Sequence, residues 1–137
     1  MRTFFDSSAF AKRYIEEPGS QQVDDLCAGA SDLGLSVVCV PEVISALNRR
    51  LRERSLSRPE YARARRGLLR DVSDARGIRL RPAVIASVVA VLEESPIRAM
   101  DAIHVACALE WEAELFVTSD ERQVKAASKA RLRTTLV

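Results

Sequence analysis

The sequence predicts an α/β protein: a three-layer α/β/α sandwich around a central parallel sheet of four or five strands. Three observations point there. Short apolar runs alternate with amphipathic helical segments along the whole chain. One run, "LSVVCV", is apolar without interruption, as in a strand covered on both faces. Acids stand just past the ends of several runs, where ligands meet an open parallel sheet. The 137 residues suit one domain, 1–137, with a single core. At 47% hydrophobic and 29% charged residues, core material is ample and disorder is excluded.

Arg2 to Phe5 predicts the first strand, and Ser7 and Ser8 are placed to cap a helix through Phe10, Tyr14 and Ile15. "EEPGS" stops it, and Ser20 starts a helix carrying Val23, Leu26, Cys27 and Ala30 at helical spacing. After "LSVVCV", Pro41 suits the first position of a helix with Val43, Ile44, Leu47 and Leu51 on one side. A further helix follows "SLSRPE" and closes near Ala75 at Gly77. "IRLR" is a third strand candidate, and Pro82 opens a helix to Leu92. Ser95 as cap and Pro96 in the first turn introduce a helix from Ile97 to about Trp111. "ELFVTSD" predicts a strand ending in an acid, "ERQVKAASKA" a helix and "LRTTLV" a last strand.

The longest nearly apolar run, Ala83 to Leu92, falls short of the ~20 residues of a membrane helix. The N-terminus lacks the apolar core of a secretion signal, so a cytoplasmic protein is expected. Cys27, Cys39 and Cys107 have no paired spacing for zinc or a redox couple and are expected as buried, reduced thiols. Net charge is only +2, yet Asn48 to Pro82 holds twelve Arg against four acids, leaving an acidic remainder. Such polarity suits a polyanion gripped by one part and worked on by another. Charge alone fits a solvated Arg-rich helical hairpin at least as well.

Asp6 follows the first strand, Glu42 lies in the first turn after the second, and Asp120 stands just past "LFVTS". Asp101 lies on an apolar helix stripe with Ile97, Met100, Val105 and Ala108, where an unpaired charge is costly and His104 is the only basic neighbour. Singly, each acid also fits a helix cap, a dipole partner or an ion pair. Jointly, carboxylates at about 5 Å and an effective dielectric near 20 repel by roughly 3 kcal/mol per pair, which a divalent cation relieves. Oxygen-only donors suit Mg²⁺ or Mn²⁺. On this reading a metal, rather than a protein cation, neutralises Asp6.

The segments "FFDSSAFAKRYIEEPGS", "VPEVISALNRR" and "SPIRAMDAIHVACALEWEAELFVTSDERQVKAA" together resemble a PIN domain, specifically the VapC group of toxin ribonucleases from prokaryotic type II toxin–antitoxin pairs. The resemblance places the family's four acids on Asp6, Glu42, Asp101 and Asp120. Its hydroxyl positions fall on Ser7 and Ser8 and on Thr118, so that Ser8 and Thr118 support the site. It implies Mg²⁺- or Mn²⁺-dependent endonucleolytic cleavage of RNA to 5′-phosphate and 3′-hydroxyl ends, a cognate antitoxin partner and a homodimer.

Two rival chemistries fail on residues. A metal-free ribonuclease with two histidines cannot be built from His104 alone, which is expected to be packed or water-bonded. A phosphatase with a strand-end aspartyl nucleophile needs a second acid two residues later, and that position is Ser8. A non-hydrolytic metal- or RNA-binding module on the same fold remains the alternative.

Overall fold

The structure is a computed structural model describing all residues, Met1–Val137. Five strands, β1 (Arg2–Phe5), β2 (Asp32–Ser36), β3 (Arg76–Ile78), β4 (Leu115–Thr118) and β5 (Thr134–Leu136), form one sheet in the order β3-β2-β1-β4-β5. Every pairing is parallel. The helices are α1 (Ser7–Phe10), extended by a 3₁₀ turn at Ala11–Arg13, then α2 (Ser20–Gly29), α3 (Cys39–Arg52), α4 (Arg58–Asp74), α5 (Pro82–Glu94), α6 (Ala99–Glu110) and α7 (Glu121–Lys129). No helix is long and apolar enough to cross a membrane.

Alternation along the strands builds two cores. Phe5, Leu35, Leu115 and Val117 point to the face covered by α1–α4, where they meet Phe10, Val23, Val43, Leu47 and Leu68. Phe4, Ile78 and Phe116 point to the opposite face and meet Val84, Val88, Val105 and Ala127 from α5–α7. Phe4 and Phe116 stack across neighbouring strands, with centroids 5.8 Å apart and planes within 8°. The chain first builds one side of β1 and later crosses to the other. The switch point therefore lies at β1 and β4, where an open α/β sheet forms its crevice.

Four boundaries differ from the sequence reading. "LSVVCV" does not continue as a strand: β2 ends at Ser36, and α3 begins at Cys39. The Ser36 hydroxyl accepts from the Val38 amide at 3.3 Å, and Val38 already has helical torsions. Past β2, Cys39 is the buried member of this run, Val38 and Val40 are half-buried, and Val37 is exposed in the connection. Pro41 falls in the first helical turn, where a missing N–H costs no intrahelical bond. The third strand lies at Arg76–Ile78, earlier than "IRLR". Ser95 ends α5 instead of capping the next helix, because Pro96 holds the residue before it extended, and α6 starts only at Ala99. The first helix is also shorter than expected and is capped by Asp6, not by the serines. The three cysteines are free, with Cys39 and Cys107 buried and Cys27 only half-buried.

Gly34 is required by packing. The Trp111 ring lies over it on the α5–α7 face, and a Cβ built there would meet Trp111 carbons at 2.5, 2.7 and 2.9 Å. Gly34→Ala is expected to cost about 1–3 kcal/mol of stability through overpacking, read as a lower denaturant midpoint. Trp111→Leu in the same chain should recover part of that loss.

Candidate active site

The register of β1 on β4 sets the site. Phe5 pairs with Val117, and the Asp6 amide donates to the Val117 carbonyl at 3.0 Å. Asp6, the first residue past β1, thus lies beside Thr118, the last of β4. Glu42 comes from the first turn of α3, Asp101 from the first turn of α6, and Asp120 is the N-cap of α7. Helix N-termini favour acids there by about 0.3–1 kcal/mol each. Asp6, Glu42, Asp101 and Asp120 line one cleft of about 80 Å³ with Ser7, Ser8, His104 and Gln123. Of the residues singled out from the sequence, Thr118 alone is not in the lining; it stands behind Asp6.

Asp6 has no exposed surface. Its carboxylate accepts from the Thr118 hydroxyl at 2.6 Å, the Gln123 amide at 2.7 Å, the Ser8 hydroxyl at 2.8 and 2.9 Å and the Ala9 backbone amide at 2.9 Å. All four donor groups are uncharged, and Asp6 belongs to no ion pair. Burial pushes its carboxyl above the ordinary 3.8, and the opposing influences of His104, Thr118, Ala9 and Ser8 do not cancel this.

Asp101 is half-buried and accepts from Gln123 at 3.3 Å. Its carboxyl is also raised, first by burial and then by the charge of Asp120, with Glu42 adding to the effect. Asp120 accepts from the Arg122 amide at 2.8 Å as the cap of α7. Glu42 behaves oppositely: burial alone would raise it, but hydrogen bonds from His104 and Ser7 hold it below the ordinary carboxylate range.

Two contributors were not assigned to the site from the sequence. His104 is packed, as expected, edge-on to Phe4 with centroids 6.3 Å apart, but its Nε2 also reaches Glu42 Oε1 at 2.5 Å. Gln123 bridges Asp6 and Asp101 through one amide nitrogen. Its signal was a glutamine on the buried side of a short helix with Ala126 and Ala127, three residues after Asp120. A long polar side chain held on a core face must find polar partners.

No three His, Cys, Asp or Glu side chains stand pre-gathered as a metal-holding group. Neutral donors hold Asp6 and Asp101 instead, while Asp120 also pairs with the Arg122 guanidinium at 3.7 Å. The donor chemistry nevertheless fits a hard divalent cation that keeps part of its water shell: oxygen ligands, one buried carboxylate without a cationic partner, and a buried Gln123 Oε1 that no group in the chain engages.

No curated protein sequence matches the chain significantly. Solved structures match it closely in fold. VapC20 of Mycobacterium tuberculosis, described as a Sarcin-Ricin loop cleaving toxin, aligns with a TM-score of 0.69 at 17% identity over 90% of this chain and 94% of its own. VapBC2 of Rickettsia felis, bound to a DNA fragment from its promoter, gives 0.73 at 12% identity over 100% and 99%. FitAcB of Neisseria gonorrhoeae gives 0.70 at 15% over 96% and 95%. At such identities the likeness carries the fold. The sequence model of the PIN domain matches residues 3–129, from β1 to the end of α7, a span that includes all four acids, and the chain belongs to the PIN domain family.

Proposed function

We propose that this protein is a metal-dependent endoribonuclease and the toxin of a type II toxin–antitoxin pair, acting in the cytoplasm. The observation that carries this reading is the buried Asp6 carboxylate, held by four neutral donor groups in a cleft with three further acids. A site that needed only structural charge balance would pair Asp6 with Lys or Arg. The likeness to a toxin that cleaves the Sarcin-Ricin loop supports RNA as substrate, and the VapBC complexes among its structural neighbours support an antitoxin partner. A homodimer is part of this proposal, as the family resemblance implies.

Asp6, Glu42, Asp101 and Asp120 would hold Mg²⁺ or Mn²⁺. Such a cation, when bound, acidifies a water and stabilises charge on phosphoryl oxygens. Ser8 and Thr118 fix both oxygens of Asp6, and Thr118 also accepts from the Asp120 amide at 3.0 Å, tying the two acids to one hydroxyl. Burial of Asp6 and the small cleft limit bulk water. Exposed Arg58, Arg63, Arg65, Arg66 and Arg70 on α4 give a basic surface for RNA phosphates.

Purified protein with RNA and Mn²⁺ is expected to cleave, and Asp6→Asn to lose at least about 100-fold in rate, with chelation stopping the reaction. Equal cleavage in all three samples means a contaminant. Cleavage in none supports a non-hydrolytic binding module.

Millimolar Mn²⁺ is expected to raise the melting temperature by about 3 °C or more, and Asp101→Asn to reduce that rise. The same variant tests the electrostatics. The folded-state pKa of Asp101 is raised, so its stability contribution is complete below the ordinary 3.8 and is lost as pH rises through the raised value. Without metal, Asp101→Asn should therefore melt above wild type at neutral pH, with the gap closing as pH falls toward about 4.

A further inference from the structure

His104 lies one turn after Asp101 on α6, and its side chain is almost wholly buried. Its two ring nitrogens have different environments. Nδ1 is buried with no hydrogen-bond partner, so a proton there would be a buried donor without an acceptor. Nε2 lies 2.5 Å from Glu42 Oε1 and 3.1 Å from the Ser7 hydroxyl. The ring proton is therefore assigned to Nε2 and donated to Glu42. Ser7 donates to the same oxygen at 2.7 Å. Both donors converge on Oε1, and no hydrogen bond within the chain engages Oε2.

We propose that His104 is a positioning residue that clamps Glu42 through Oε1, with Ser7, so that Oε2 alone is offered to the cation. Glu42 is otherwise the least anchored acid of the cleft. It stands beyond the N-cap on α3, has a flexible side chain, and shares no donor with Asp6, Asp101 or Asp120. One helix then supplies two functions: α6 carries Asp101 directly and fixes the Glu42 carboxylate through His104. The committed Nε2 proton and the buried Nδ1 leave the ring no lone pair facing the cleft, so His104 serves as a holder and not as a ligand. A histidine that only filled the core would have no need of the short bond to Glu42. The inference rests on the proposal that Glu42 takes part in cation binding.

The test is Mn²⁺ affinity by calorimetry on the full chain, with the metal-free melting temperature recorded beside it. His104→Leu is expected to weaken Mn²⁺ binding by roughly 10–100-fold, the usual effect of losing a ligand's hydrogen-bonded holder. His104→Gln, whose amide nitrogen can take the place of Nε2, should restore most of it. His104→Asn has the same chemistry but a shorter reach and should not. Glu42→Gln should weaken binding comparably, and adding His104→Leu to it should bring little further loss, because both act through one carboxylate. Wild-type affinity in His104→Leu beside a weakened Glu42→Gln overturns the inference alone, as does full additivity of the two. Unchanged affinity in Glu42→Gln removes Glu42 from the cation site and takes the inference with it. Should His104→Leu fail to fold, the comparison of Gln with Asn decides: equal affinities overturn the clamp.

Discussion

A carboxylate with no exposed surface, enclosed by neutral donors, is the constraint on which the rest of the rim depends. Burying a charge without a counter-ion costs several kcal/mol even after relaxation. Hydrogen bonds to a charged group each return roughly 1.5–3 kcal/mol. Asp6 collects such bonds from α1, β4 and α7, so three elements must meet at one point for the residue to be tolerated. The pairing of Phe5 with Val117 brings Thr118 into range, and capping of α7 by Asp120 orients Gln123 one turn later. The stacked Phe4 and Phe116 on one face, and Phe5 and Val117 on the other, keep that register rigid, because a one-residue slip would turn each side chain to the wrong core.

Charge is distributed to match. The cleft is acidic, whereas most of the arginine surplus lies on α3 and α4 and remains in solvent. Only part of it is neutralised locally, as in Arg50 with Glu17 and Arg70 with Asp71. Surface pairs of this kind, partly open to solvent, contribute little stability. The basic surface is thus available to a polyanion, and the acid cleft would repel the same polyanion unless a cation intervened. On the proposed function, the two halves of the charge pattern become compatible through a divalent ion between phosphate and carboxylates.

Much of this was legible in the sequence. Short apolar runs and period-3.6 patterning placed the elements, and acids at the ends of apolar runs marked Asp6 and Asp120. Glu42 was found although its strand was misplaced, because the helix start rather than the strand end positions it. Asp101 was marked by its apolar neighbours, but the stripe itself is corrected: Ile97 lies before α6 and Met100 is exposed, leaving Val105 and Ala108 as its buried members. His104 and Gln123 were harder because each sits in a helix whose pattern is satisfied by core packing; their hydrogen bonds cross from one helix to residues 62 and 117 positions away in the chain. No local pattern encodes such a partner. The ends of β2 and α5 were decided by competition between backbone preferences and the demand for buried apolar area, which only the assembled sheet resolves.

The identity of the holders explains the electrostatics of the cleft. Lysine or arginine at positions 104 or 123 would bind the carboxylates more strongly and remove the burial penalty on Asp6 and Asp101. It would also cancel the negative field that attracts a cation, and any incoming ion would have to displace a resident one. The Gln123 amide supplies direction to Asp6 and Asp101 without net charge, and the His104 ring N–H directs Glu42. The acids are fixed while some of their repulsion is retained: burial first and then the charges of Asp120 and Glu42 raise the Asp101 carboxyl, whereas burial is what raises Asp6. On the proposed function, the stability given up by crowding these acids is recovered when a divalent cation binds. On the proposed metal-binding reading, the neutral donors around Asp6 and Asp101 convert a costly cluster of acids into affinity for a divalent ion, a conversion that charged donors there would forfeit.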